Sequence, residues 1–333
     1  MHEIKMKILL SIPGHLKTVP MSKYIFQTLG EMGCEVTVFN YGVHGAYPKL
    51  LKAFSKNSFL NYSDKKLIQI VSRVKPDLFI TVFGFDHRKE VIDQIKWKGI
   101  KTICWWLNDP FQIKRSIAQA GFYDYYFTNS KGSIKSYHDA NIKKIFYLPV
   151  GSFPKVHRKL NISNCEYEIS FAGDWSSLRE KMLLDLSKDF NISIFGPWKK
   201  KLNKNSPLSK NVIEDGAFTP EEMVKIFNSS KIVLNIHTWF GQWNYGINPR
   251  VFEANGCGAF QISDYKEEIP EMYEPEKEIV LYTSISELKD KLSYFLQHSE
   301  KASEIAEQGF LKTIKHHTYK QRLKKMFSVA GIE

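Results

Sequence analysis

The sequence predicts an α/β protein of two doubly wound, parallel-sheet domains in tandem. Three observations carry this. Short apolar runs of strand length alternate with longer amphipathic runs of helical length, and the series occurs twice. Many of the strand-length runs are apolar on both faces, as strands sandwiched between helix layers are. The chain has 333 residues, enough for about two domains.

The first series opens with "KILLSI" (Lys7 to Ile12), a buried strand closed by Pro13-Gly14. A helix is expected from about Val19 to Met32, with Ile25, Leu29 and Met32 on one face. "EVTVFNY" is the second strand, "KLIQIVSRV" a helix, and "DLFITVFG" the third strand. "KTICWWL", "YDYYFTN" and "KKIFYLPV" complete a domain over residues 1–150. Residues 151–165 mix Gly, Pro and charge without a period and are expected to be a linker. "EYEISFAG", "NISIFGP", "KIVLNIH", "AFQISD" and "EIVLYT" are the strands of a second domain over 166–311. Its helices carry start signals. Thr219-Pro220-Glu221-Glu222 reads as a capping box with proline at the first helical position. Ser284 and Glu287 form a similar pair. Residues 312–333 are expected to form a basic helix that packs back on the first domain. In doubly wound sheets ligands sit beyond the carboxyl ends of the strands.

The composition narrows the function. No apolar run approaches the roughly 18 to 20 residues of a membrane span, and the N-terminus lacks the pattern of a signal peptide. The four cysteines are scattered without metal-ligand spacing, which suits reduced thiols and a cytoplasmic setting. The formal net charge of +12 points to an anionic partner. No base-reading motif accompanies the charge, so nucleic acid is set aside. Lysines 312 to 325 are expected to offer peripheral contact to an anionic membrane.

The segment "INPRVFEANGCGAFQISD" (Ile247 to Asp264) places Arg250 and Glu253 in an otherwise apolar helical pattern. Asn248-Pro249 reads as the helix start, where free N–H groups attract phosphate oxygens. Gly256 and Gly258 read as its end. "FAGDWSSLREKML" places Gly173 at a strand end and Arg179 in the first turns of the following helix. His237 ends the strand "KIVLNIH". In the first domain, Gly14 allows close backbone approach after the first strand, and His15 is a candidate proton acceptor. Asp109 lies at the end of the "WWLNDP" strand, where it serves as a base or caps the next helix.

These stretches carry a resemblance. "NPRVFEANGCGAFQISDYKEEIPEMYEPEKEIVLY" and the helices after it resemble the C-terminal domain of group 1 glycosyltransferases, closest to the CgeB-like (spore maturation) subgroup. "WWLNDP", "YDYYFTNSKGSIKSYHDANIKKIFYLPVGS" and "ISFAGDWSSLREKML" resemble that subgroup too. The resemblance implies the GT-B architecture, with two Rossmann-like domains facing across a cleft. The second would hold a nucleotide diphosphate-sugar and the first a glycan, lipid-linked or protein acceptor. Glu253 would bind the ribose hydroxyls, and Arg179, Arg250 and the start at Asn248 would stabilise the diphosphate. Asp109, His15 and His237 are the candidates for catalysis. The expected enzyme is a glycosyltransferase, UDP-dependent and retaining, with no cofactor and no divalent metal, since no Asp-x-Asp occurs. The alternatives are a nucleotide-sugar epimerase or hydrolase and a non-catalytic nucleotide-sugar-binding scaffold. Its expected location is the cytoplasm, in part at the inner face of the membrane. One departure stands out: many relatives place a first glutamate eight positions before the second, where this chain has Tyr245.

Overall fold

The computed structural model describes residues 5–14, 16, 20–42, 46–162 and 164–332. The chain divides into two compact units. One comprises Met1–Pro149 with Tyr319–Glu333, and the other Val150–Thr318.

The first unit is built on strands β1 (Lys7–Ile12), β2 (Glu35–Asn40), β3 (Leu78–Val82), β4 (Lys101–Trp106), β5 (Tyr125–Thr128) and β6 (Ile145–Tyr147). All neighbours run parallel in the order β2-β1-β3-β4-β5-β6. β3 is buried along its whole length, which accounts for its unbroken apolar sequence. The final helix, Tyr319–Ala330, packs against the Pro20–Glu31 helix. The Tyr319 ring packs tilted against Tyr24 at 5.6 Å and edge-on against Trp105 at 6.1 Å, and Lys101 Nζ donates to Ala330 O at 2.6 Å.

The second unit contains β7 (Tyr167–Ala172), β8 (Ile192–Phe195), β9 (Val212–Glu214), β10 (Ser230–Asn235), β11 (Gln261–Asp264) and β12 (Val280–Tyr282), again all parallel. Their order is β12-β11-β10-β7-β8-β9. Ile169, Phe171, Leu183, Ile194, Trp198, Ile232 and Ile262 form the centre of its core. The capping box at Thr219 and Glu222 is present. Ser284 caps its helix by accepting from Glu287 N–H, while the Glu287 carboxylate reaches Thr283.

Two features differ from the reading of the sequence. Residues 151–157 are not a loose connector: Ser152, Phe153, Val156 and His157 are buried in the second unit. The chain rejoins the first unit at Tyr319, because Lys312 to His316 still belong to the long Ser299–His316 helix of the second. Gly256 and Gly258 do end their helix, and Gly256 is its last residue. A Cβ there would collide with Ser152 Oγ, whereas Gly258, at φ +69°, supplies the left-handed turn.

Candidate active site

Strand order reverses between β7 and β10, since the chain builds outward from β7 and then returns to its other side. A crevice opens at the carboxyl ends of two such strands. Three strand-end carbonyls there are taken by two arginines. Arg179, from the Ser177–Leu186 helix, donates Nε and Nη2 to Ile236 O at 3.0 and 2.6 Å, and Nη1 to Asp174 O at 2.9 Å. Arg250 donates Nε to Ala172 O at 3.1 Å. Gly173 lies beside them. A Cβ at this position would sit 3.5 Å from Arg179 Nη1.

Arg179 is buried, and among the described residues it forms no ion pair. Three of its five N–H donors are used, all on neutral carbonyls. Burial, then the nearby charge of Arg250, pulls its pKa down to about 10. A desolvated cation beside a second cation is unfavourable until an anion joins them.

Arg250 is partly compensated. Its Nη1 pairs with Glu253 Oε2 one turn along the Arg250–Gly256 helix. Glu253 is buried, and its other oxygen lies 3.9 Å from His157 Nε2. His157 Nδ1 accepts from Phe153 N–H at 3.0 Å, which leaves the proton on Nε2, facing the carboxylate. Burial lowers the His157 pKa to about 4, so the ring is neutral at pH 7.

His237 is fully buried, and both ring nitrogens are engaged. Nδ1–H donates to Asp264 Oδ1 at 2.6 Å, and Nε2 accepts the Asn248 N–H at 3.0 Å. The same Asp264 oxygen accepts the His237 backbone N–H at 2.8 Å, and its second oxygen pairs with buried Lys266 at 2.9 Å. Burial lowers the His237 pKa. The expected catalytic role is therefore corrected: His237 has no nitrogen left for a substrate.

Asn248 is corrected for the same reason. Its backbone N–H is taken by His237, and its side-chain amide pairs reciprocally with Asn235 at 2.8 and 3.2 Å. The helix after it has only seven residues, so its dipole adds little to an anion site. Tyr245, at the position of the missing first glutamate, holds Trp239 Nε1 with its carbonyl at 3.0 Å.

In the first unit Asp109 is wholly buried. Its Oδ2 accepts from Thr128 Oγ1 at 2.6 Å and Tyr137 OH at 2.5 Å, and burial raises its pKa to about 6. It caps nothing; the next helix, Ile113–Ala120, has Gln112 at its N-cap. Asp109 ties β4 to β5 and the Ile134–Asp139 helix, which corrects its expected role as an accessible base. Gly14 is buried just after β1, and His15 lies outside the described residues. The strand-order reversal of the first sheet falls between β1 and β3, and there His87 Nε2 meets Ser11 Oγ at 2.8 Å. Among the described residues no three His, Cys, Asp or Glu side chains gather as metal ligands.

Sequence reasoning missed Asp264, Lys266, Glu268 and His157. The first three alternate in "SDYKEE", from the last residue of β11 onward, and all are buried. Glu268 Oε1 accepts Gly246 N–H at 2.8 Å and pins the loop that leads to Asn248. Alternating charges running off the end of a strand were the available signal. His157 was concealed in the supposed linker.

Two doubly wound, all-parallel six-stranded sheets in one chain are the GT-B fold. Residues 178–328 match the Glycosyl transferase-like family. Among curated proteins the chain is 20% identical over 296 residues to spore protein CgeB of Bacillus subtilis, covering 84% of this chain and 92% of that one. Sucrose-phosphate synthase from Thermosynechococcus elongatus superposes with a TM-score of 0.71 at 11% identity, over 98% of both chains. HepE of Anabaena, solved with UDP-glucose, superposes at 0.67 with 14% identity, over 97% of this chain and 99% of that one. No helix among the described residues is long and apolar enough to cross a membrane.

Proposed function

We propose that the protein transfers a sugar, with retention, from a UDP-sugar to an acceptor hydroxyl or amide on a glycan, lipid or protein, without a divalent metal. The observation that carries this reading is the pair Arg179 and Arg250 at the carboxyl ends of β7 and β10. Arg179 there is buried, cationic and, among the described residues, in no salt bridge. A diphosphate supplies the charge that such a pair lacks. The bound UDP-glucose of HepE, a protein of the same fold, supports the uridine nucleotide.

In this reading both guanidiniums hold the diphosphate and stabilise the charge that develops as the anomeric carbon–oxygen bond breaks. Glu253 turns its carboxylate to the ribose hydroxyls while Arg250 shifts to phosphate. The acceptor oxygen or nitrogen bonds to the anomeric carbon, and its proton passes to the β-phosphate oxygen of departing UDP. This route asks nothing of the enclosed Asp109 or the engaged His237. The direct test is titration calorimetry with UDP, GDP and ADP, followed by release of UDP from UDP-sugars. Binding of no nucleoside diphosphate by the folded protein would overturn the proposal.

A further inference from the structure

The Ala46–Phe54 helix of the first unit buries none of its residues. Its sequence, AYPKLLKAF, is nonetheless strongly patterned. At 100° per residue Tyr47, Leu50, Leu51 and Phe54 fall on one face, and Lys49 and Lys52 on the other. Tyr47 is 59% exposed, Leu50 56% and Phe54 82%. An amphipathic helix normally turns its apolar face to the core, and this one does not. Contiguous exposed apolar side chains mark a surface that another apolar phase covers.

The charge nearby says which phase. Between residues 46 and 66 stand Lys49, Lys52, Lys56, Lys65 and Lys66, all exposed. The one acid of that stretch, Asp64, is ion-paired with Arg88. Lys52 Nζ lies 5.5 Å over the Phe59 ring and Lys66 Nζ 4.5 Å over the Tyr62 ring, so these two cations sit on the aromatic side chains beside the apolar face. A second copy of this face would bring lysines against lysines, which like-charge repulsion opposes. An anionic lipid bilayer offers both what the apolar face lacks and what the lysines attract.

We infer that the Ala46–Phe54 helix is an in-plane membrane anchor that seats Tyr47, Leu50 and Phe54 in the headgroup region of an anionic bilayer, with Lys49, Lys52 and the lysines of the next helix on the lipid phosphates. This assignment is independent of the donor site and holds whatever the second unit binds.

The test is co-sedimentation of the full chain with vesicles of phosphatidylcholine alone or of equimolar phosphatidylcholine and phosphatidylglycerol, at low and high salt. The wild type binds the anionic vesicles at low salt and is released by high salt. Leu50→Ser/Phe54→Ser, which touches exposed positions, lowers the partition coefficient by about tenfold or more at low salt. Lys49→Gln/Lys52→Gln lowers it too and flattens the salt dependence. Two results overturn the inference. One is undiminished vesicle binding by Leu50→Ser/Phe54→Ser, which assigns adsorption to lysines elsewhere. The other is no vesicle binding together with a dimer in sedimentation velocity that this variant dissociates, which assigns the face to a second copy.

Discussion

His237 Nε2 accepts the backbone N–H of Asn248 at 3.0 Å, while the opposite nitrogen is held by Asp264 at 2.6 Å. The imidazole thus links the end of β10 and the end of β11 to the residue two before Arg250. Its contribution is position. His237→Gln keeps an acceptor for Asn248 but loses the donor to Asp264. It is expected to lower urea stability by about 1 to 3 kcal/mol and to leave the pH dependence of kcat unchanged. Loss of one limb of that profile would show a proton-transfer role instead.

Arg179→Ala and Arg250→Ala are expected to lose more than about tenfold in turnover of the cognate UDP-sugar, or over 1.36 kcal/mol in the barrier. Neither Mg²⁺ nor Mn²⁺ should restore it. The wild type should keep its rate after exhaustive EDTA treatment. A wild type that EDTA silences and one metal rescues would refute fixed guanidinium charge as the stabiliser.

Glu253→Ala separates two roles. A ribose contact predicts that affinity for uridine monophosphate falls about ten- to a hundredfold, the loss of a charge-assisted hydrogen bond worth about 1.5 to 3 kcal/mol. Release of Arg250 from its pair predicts that inorganic pyrophosphate binds more tightly. Calorimetry of both ligands on the same variant reads the two effects apart. Unchanged uridine monophosphate binding would remove the ribose contact from the site.

His157 makes stability depend on acid. Its pKa is about 4 when folded, against an ordinary 6.5, so the folded protein holds the ring neutral. The stability this provides is complete above pH 6.5. It is lost as pH falls toward 4, by on the order of 3 kcal/mol. His87 and His237, also lowered by burial, act in the same direction. Asp109, raised to about 6, acts oppositely, because its protonated form suits the folded state. Urea midpoints between pH 7.5 and 4 should show a steeper decline in wild type than in His157→Gln. Equal slopes would mean that His157 does not titrate across folding.

The alternation of strand and helix was legible in the sequence because buried parallel strands are apolar throughout and their helices are amphipathic. β9 was not, since Val212–Glu214 is too short to show a period. The Ala46–Phe54 helix was passed over because no core claims its apolar face. Arg250 and Glu253 stood out as charges inside an apolar pattern, and Arg179 through the resemblance its segment carries. The engagement of His237 and Asn248 did not, because it depends on Asp264 arriving from another strand. Asp109 looked exposed as a strand-end acid; its enclosure follows from hydroxyls on Thr128 and Tyr137, further along the chain.

The chain leaves its first unit at Pro149 and re-enters it at Tyr319, so the second unit is an insertion within the first. The two crossing strands meet at Ser152 and Thr318, where Ser152 N–H donates to His317 O at 2.8 Å. During synthesis, then, the later-made unit has all its residues out of the ribosome first. The earlier-made unit must wait for Tyr319 to reach Tyr24 and for Ala330 to meet Lys101. Usual vectorial order, amino-terminal unit first, is reversed. A chain truncated after Thr318 keeps every residue of the second unit but lacks the closing helix of the first, so such a truncation should expose the N-terminal unit to proteolysis while sparing the C-terminal one.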